Sequence, residues 1–311
     1  MLPVLFLMGP TASGKTNLAI NLVQELNCEI ISVDSAMIYK GMNIGTAKPS
    51  QNELDIAPHH LIDLVEPTED WSVSDFCHLA SSLITEIHQR QKIPLLTGGT
   101  MMYFKTFLDG LSENLPSASE SMRLELMSKL NTQGINCLAQ QLIQLDPASE
   151  HRIDLKNPQR VIRALEVFQT SGRSITAYWD EQTTLSHPWP IIQFGLDVSD
   201  RKDLHARIAQ RFDIMLDSGF EQEVEQLMQL PGIHADMTSM LSVGYRQMWQ
   251  YIAGEVTFDE MREKSIAATR QLAKRQLTWL RKWQDLNKVN YSDPRRFETV
   301  SEKIKSSISW C

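Results

Sequence analysis

The 311-residue chain has no run of eighteen or more apolar residues, so no segment is long enough to cross a bilayer as a helix. It opens on an apolar strand and a loop, not on a basic segment followed by an apolar one, and no secretory leader is expected. Cysteine is scarce. Cys28, Cys77, Cys137 and Cys311 lie far apart, with neither metal-ligand spacing nor the density of a disulfide framework, and the pattern predicts the reduced thiols of a cytoplasmic protein. Histidine clusters once, at His59-His60, and neighbours on an extended segment point to opposite sides, which argues against a shared metal. Positive charge is also short: 30 Lys and Arg against 38 Asp and Glu leave a net charge of −8. That excludes a protein basic all over, but not one with a local basic face. Internal repeats and low-complexity segments are absent. What remains is ordinary globular composition, 42% hydrophobic and 22% charged, with length enough for one large or two modest domains.

What is present begins at Gly9-Pro10-Thr11-Ala12-Ser13-Gly14-Lys15-Thr16, which fits the phosphate-loop pattern G-x-x-x-x-G-K-[ST] in full. The context supports the match. Val4–Met8 is an unbroken apolar stretch that reads as a buried parallel strand, and Leu18, Ala19, Leu22, Val23 and Leu26 recur afterwards at helical spacing. Backbone N–H groups at the start of that helix suit a phosphate, Lys15 suits its charge, and the Thr16 hydroxyl suits Mg²⁺.

Further strand candidates fall at Ile30–Val33, Ile93–Leu96 and Ile191–Gly195 with helical patterns between them, the signature of a parallel α/β sheet. The rhythm breaks between residues 116 and 190. That stretch is helical in pattern, with Leu124, Leu126, Met127 and Leu130 in one helix and Val161, Ile162, Leu165 and Phe168 in another. The expected organisation is a P-loop NTPase-like α/β core over 1–115 and 191–311 carrying a mainly helical insertion domain over 116–190. Beyond the last strand, helices are predicted over Asp203–Asp217, Glu221–Gln229 and about Thr257–Asp285.

Chemistry concentrates at the strand ends. Asp34 follows the second strand, at the carboxyl edge where ligands of parallel sheets bind, and suits either Mg²⁺ binding, proton abstraction or a turn cap with Ser35. The loop Tyr39–Pro49, with two glycines and two lysines, suits an anionic ligand. The third strand ends in Leu96-Thr97-Gly98-Gly99-Thr100 rather than in the carboxylate an NTP hydrolase uses there, and Met101–Phe104 adds an apolar segment that is either core or a seat for an apolar substrate. From Arg262 to Lys282 seven basic residues face one acid, with Trp279 and Trp283 interleaved, which suits a phosphate backbone with unstacked bases nearby. Two smaller polar-basic groups accompany it, Asn157–Arg163 and Ser242–Gln247. Arg207 and Arg211 share a helical face and suit either a diphosphate or a plain solvent-facing position.

The segments GPTASGKT (Gly9–Thr16), DSAMIYKGMNIGTAKP (Asp34–Pro49), GGTMMYFK (Gly98–Lys105), NPQRVIRALEV (Asn157–Val167), SVGYRQMW (Ser242–Trp249) and ATRQLAKRQLTWLRKW (Ala268–Trp283) together resemble the bacterial tRNA dimethylallyltransferase (tRNA isopentenyltransferase) family. They run in family order over nearly the whole chain. The zinc finger of some eukaryotic relatives is not among them. The resemblance implies transfer of a dimethylallyl group from its diphosphate to N6 of the adenosine 3′-adjacent to the anticodon, by a monomer using Mg²⁺ at Thr16. It implies Asp34 as base, with Thr100 and Lys15 beside it, and Gly9, Pro10, Thr11, Ala12, Ser13, Gly14, Lys15, Thr16, Arg207 and Arg211 around the diphosphate. The tRNA would lie against Asp34, Ser35, Ala36, Met37, Thr100, Arg123, Gln159, Arg160, Val161, Ile162 and Arg163. It would also meet Leu241, Ser242, Val243, Gly244, Tyr245 and Arg246, and the stretch Lys274, Arg275, Gln276, Leu277, Thr278, Trp279, Leu280 and Arg281. Three other readings remain open from the residues alone: a small-molecule kinase, an isopentenyltransferase acting on free adenine nucleotides, and a non-catalytic RNA-binding ATPase.

Overall fold

A computed structural model describes residues 2–110, 115–116, 119–181 and 187–308. The chain begins with β1 (Val4–Met8), α1 (Lys15–Leu26), β2 (Cys28–Val33), α2 (Gln51–Ile56), β3 (His59–His60), α3 (Val73–Gln89), β4 (Ile93–Gly98) and α4 (Met101–Asp109), with β1, β2 and β4 on the apolar runs. Five helices follow, α5 (Glu120–Gln133), α6 (Ile135–Leu145), α7 (Ser149–Arg152), α8 (Pro158–Ser171) and α9 (Ile175–Glu181). The chain then returns to the sheet with β5 (Ile191–Asp197), α10 (Arg201–Asp217), α11 (Phe220–Met228), α12 (Tyr245–Ile252), α13 (Phe258–Lys282), β6 (Asn287–Asn290) and α14 (Arg296–Ile308).

Two compact units result, one of Met1–Thr106 with His187–Cys311 and one of Phe107–Ser186. The first holds a six-stranded sheet in the order β3-β2-β4-β1-β5-β6, every pair parallel. β1 sits centrally because all five of its side chains are apolar and buried. On one face Leu5, Leu7, Ile30, Leu95, Phe194 and Leu196 pack with Leu18 and Leu22 of α1 and Val300 and Ile304 of α14. On the other, the rings of Phe6 and Phe104 meet at 5.0 Å. Among the described residues no helix is long and apolar enough to cross a membrane.

β3 and β6 are additions to the four strands legible as apolar runs. β3 has two residues, and β6 (Asn-Lys-Val-Asn) buries only Val289, so neither carries a hydrophobic pattern; the parallel ladder to Phe194–Asp197 makes β6 a strand. The long basic helix is α13, shorter than its pattern at both ends. Thr257 caps it in a capping box with Glu260, and Trp283 ends it in extended conformation.

The second unit is helical throughout its described residues and has its own core of Leu126, Leu138, Leu142, Ile153, Val161, Leu165, Val167 and Ile175. α8 starts as its sequence dictates: the Asn157 side chain accepts the Arg160 N–H, and Pro158 stands in the first turn. In α5 the pattern was misleading. Leu126 is buried, while Leu124 and Met127 are exposed.

Candidate active site

The phosphate loop runs from β1 into α1, and its shape depends on its glycines. Gly14 caps α1 at φ 79°, a left-handed conformation that leaves the first helical amides uncovered. A side chain on Gly9 would stand 2.9 Å from Leu196 Cβ. Ala12 also adopts positive φ, 61°, a strained state of the kind kept at ligand-binding loops. Lys15 folds back to donate to the Pro10 carbonyl at 2.8 Å. Burial, then the neighbouring Arg211, pushes its ammonium down to about 7, with Asp34 acting in the opposite direction.

Asp34 resolves its own ambiguity. Its Oδ1 accepts the Ala36 and Met37 N–H groups at 2.9 and 3.2 Å, so it does cap the turn, and the same half-buried carboxylate lines the cavity facing the phosphate loop. The ends of β2 and β4 are laced around it. Ser35 N–H donates to Thr100 Oγ1 at 3.2 Å, and Thr100 N–H donates to the Val33 carbonyl at 3.2 Å. Gly98 permits this closeness, since a Cβ there would sit 2.0 Å from the Val33 oxygen.

A cavity of about 740 Å³ opens in front of these groups. Its lining combines polar and charged groups, Thr11–Thr16, Asp34, Thr100 and Arg211, with apolar and aromatic ones, Met101, Tyr103, Phe212, Met215, Leu272 and Trp279. Met101 and Tyr103 therefore serve both readings of their segment: each is almost wholly buried and each lines the cavity. Phe104, in contrast, turns to the core. Arg211 lies in the cavity wall, where burial lowers its pKa against the pull of Asp34. Arg207 stands outside that lining. Its guanidinium caps the Tyr291 ring and reaches to 3.9 Å from where a Gly14 Cβ would be.

The loop Tyr39–Pro49 lines the same cavity through Tyr39, Gly45, Thr46, Ala47 and Pro49, but not through its lysines. Its lysines are held by the protein: Lys48 Nζ donates to Asp63 at 2.6 Å and to the Tyr39 carbonyl at 2.9 Å, and Lys40 pairs with Glu66 at 2.7 Å. The loop is shaped instead by Glu223 of α11, a residue the sequence reading passed over. Its carboxylate accepts three successive backbone N–H groups, from Asn43, Ile44 and Gly45 at 2.9, 2.7 and 3.1 Å, and the Tyr245 hydroxyl at 2.6 Å. Gly45 fits under Phe220 and Tyr245 only because it lacks a Cβ, which would lie 2.2 Å from Phe220. A signal existed: Glu223 is a charged residue on the inward face that carries Phe220, Val224 and Leu227. Glu223→Ala would leave three part-buried N–H donors and the buried Tyr245 hydroxyl without this partner, and we expect it to destabilise the fold by about 2–3 kcal/mol, read from the urea midpoint at unchanged m value.

The basic and polar segments separate into side chains that face solvent and side chains that do not. On α13, Lys274, Arg275, Trp279 and Arg281 are exposed, while Gln276 and Leu280 are buried. Arg262 is spent on a two-pronged ion pair with Asp213, at 2.7 and 2.8 Å. In the loop before α12, Leu241 to Tyr245 line the cavity and Arg246 is exposed, but Tyr245 is wholly buried and bonded to Glu223, so its hydroxyl braces the loop and is not free to clamp a partner. In the second unit Gln159 and Arg160 are exposed, whereas Val161 and Ile162 belong to the core and offer a partner no side chain. Arg123 and Arg163 converge on the buried Glu166 carboxylate, at 2.9 and 3.5 Å. Trp71 and Thr97 also line the cavity, and neither stood out as a site residue from local pattern.

A parallel sheet with a phosphate loop, a carboxylate facing it and a cavity with both polar and apolar walls suits a transferase that handles a phosphorylated apolar donor. The family comparison agrees: residues 37–283 match the model of the IPP transferase family, and the chain belongs to that family. It is a prenyltransferase. Among solved structures, the tRNA isopentenylpyrophosphate transferase of Bacillus halodurans is 35% identical, aligned over 100% of this chain and 99% of its own, with a TM-score of 0.72. The tRNA delta(2)-isopentenylpyrophosphate transferase of Staphylococcus epidermidis is 31% identical over 98% and 99%, at 0.70. A eukaryotic dimethylallyltransferase described as acting on tRNA is 25% identical over 99% of this chain and 79% of its own, at 0.82.

Proposed function

We propose that this chain transfers a dimethylallyl group from dimethylallyl diphosphate to N6 of the adenosine 3′-adjacent to the anticodon of tRNA, releasing diphosphate. The observation that carries the reading is one cavity lined both by the phosphate loop, Asp34 and Arg211 and by the apolar and aromatic side chains of Met101, Tyr103, Phe212, Met215, Leu272 and Trp279. The diphosphate sits on the amides that open α1, with Lys15 and Arg211 facing the charge that grows as the C–O bond breaks. The dimethylallyl group lies against the apolar walls. N6 is a poor nucleophile because its lone pair is delocalised into the ring, and Asp34 takes its proton as the new C–N bond forms. Thr100, bonded to Ser35, fixes the turn that aims Asp34 and stands where it can place the amine.

Mg²⁺ fits this site by the chemistry of its donors. Thr16, Asp34 and Thr97 are hard oxygen groups that line the cavity, and the buried Thr97 hydroxyl has no hydrogen-bond partner. Thr16 would hold the ion. When bound it supplies countercharge to the departing diphosphate.

The adenine must leave its stack to reach Asp34. The exposed Lys274, Arg275, Trp279 and Arg281, with Arg246, Gln159, Arg160 and the partly exposed Arg163, are the groups proposed to hold the anticodon stem-loop. Replacing Lys274 and Arg275 together by Ala is expected to raise the tRNA KM about tenfold and to reduce the slope of log affinity against log salt by about 1–2. A slope equal to that of the parent would remove α13 from the interface. The reading takes the protein as a cytoplasmic monomer.

The test of the whole is transfer of labelled dimethylallyl from its diphosphate with total tRNA and AMP offered in parallel. Label on the adenosine beside the anticodon is the expected result. Label in AMP would keep the chemistry and replace the acceptor, and label in neither would overturn the reading.

A further inference from the structure

One side chain links α13 to the phosphate loop. Gln276 is buried, with 7% of its surface exposed, yet it sits between the exposed Arg275 and Trp279. Its Oε1 accepts the Thr11 N–H at 2.9 Å, and its Nε2 donates to the Gly99 carbonyl at 2.9 Å. The amide thus satisfies a backbone donor inside the phosphate loop and a backbone acceptor at the end of β4, across 265 and 177 residues of chain. A carboxamide can do both because it offers an acceptor and a donor at fixed separation on one planar group, and glutamine carries it on a longer stem than asparagine. The space is fitted to it: a Cβ on Gly99 would stand 2.3 Å from Gln276 Nε2, and that atom belongs to a side chain held at both ends.

We propose that Gln276 is a positioning residue for the diphosphate of the prenyl donor, setting the shape of the phosphate loop from α13, and that it makes no contact with RNA. The proposal rests on the reading that this loop holds the donor diphosphate. Thr11 N–H, engaged by Gln276, is withdrawn from the phosphate cradle. Its role is to fix where Ala12 and Ser13 lie, and so where the amides opening α1 point. Without the amide of Gln276 the part-buried Thr11 N–H loses its partner and the Gly99 carbonyl is left with the Met101 N–H alone, and the loop relaxes toward water to recover the lost bonds. The diphosphate then meets amides that must be reordered on binding. The cost falls on donor affinity, while the exposed side chains on either side of Gln276 keep their places on the helix.

Two variants on different elements test this. Gln276→Ala deletes the amide, and Gly99→Ala displaces it from β4 without altering α13. Gly99 has no positive φ, so alanine is compatible with its backbone. Each is expected to weaken binding of inorganic diphosphate about tenfold by titration calorimetry, the scale of one lost buried hydrogen-bond pair. In turnover, KM for dimethylallyl diphosphate rises while kcat at saturating donor stays within about twofold of the parent. Binding of an anticodon stem-loop RNA, measured without donor, is expected to be unchanged. The double variant should be no weaker than Gln276→Ala alone, because the added methyl costs nothing once the amide is gone. A loss of RNA binding with unaltered diphosphate binding would make Gln276 an RNA contact and overturn the proposal. So would losses that multiply in the double variant. If the parent itself bound no diphosphate, the functional reading would fall with it; if the parent bound and both variants bound equally well, only the role of Gln276 would fall.

Discussion

Asp34→Asn is expected to lower kcat by two to four orders of magnitude while RNA and donor still bind. The range is that of a positioned general base. Asparagine is the informative replacement because of what Asp34 does in the fold. Its Oδ1 holds the Ala36 and Met37 amides, and an Asn carbonyl oxygen accepts the same two bonds. The turn, and with it the Ser35–Thr100 contact, is therefore kept, and what is lost is the ability to take the N6 proton. Asp34→Ala removes both functions and should add a loss of stability or of RNA affinity to the loss of turnover. The comparison is made by single-turnover kinetics at saturating donor, beside RNA affinity for each variant. If Asn retained more than about a tenth of parental turnover, proton abstraction would not be the work of Asp34. If it lost RNA affinity in proportion to turnover, the carboxylate would be a binding group.

The phosphate-loop part of the site is legible in the sequence for a physical reason. A phosphate loop is local: eight consecutive residues, a strand before and a helix after, specify both its geometry and its chemistry. Asp34 and Thr100 were legible for the same reason, as the first polar residues beyond buried strands at the carboxyl edge of a parallel sheet. The parts that stayed hidden are held by pairs remote in sequence. Glu223 lies about 180 residues from the amides it gathers, and Gln276 lies 265 from Thr11, so no local pattern announces either. Composition misled in a second way. Lys40 and Lys48 suit an anion in sequence but have carboxylates of their own, and Val161, Ile162 and Leu280 lie within basic segments yet point to the core. A basic stretch on a helix spends only its outward third on a partner, and periodicity tells which third only when the buried face is already known.

Lys15 carries the second large effect. Lys15→Met, which keeps the length of the chain and removes the charge, is expected to lower kcat/KM for the donor about a hundred- to a thousandfold. The pH dependence is the sharper signature. In the unliganded site the ammonium has been pushed down to about 7 by burial and by Arg211, from an ordinary value of 10.5. Above pH 7 the folded protein holds Lys15 largely neutral, whereas the unfolded chain still binds that proton. Stability of the unliganded protein therefore gains a contribution as pH rises from about 7 toward 10.5, and loses it again as pH falls through 7. A diphosphate reverses the balance. Its negative charge favours the ammonium, so binding above pH 7 draws in a proton. Two measurements follow. Calorimetric titration of inorganic diphosphate at about pH 8, in buffers of different ionisation enthalpy, should show uptake of close to one proton per diphosphate beyond any proton exchanged by the ligand itself, and Lys15→Met should abolish that increment. KM for dimethylallyl diphosphate should climb by up to about tenfold per pH unit above 7 while kcat holds, since the charged form is regained once the donor is seated. A KM that stayed level from pH 7 to 9 in the parent would mean that Lys15 is already charged before the donor arrives, and that Asp34 across the cavity outweighs burial in setting its proton.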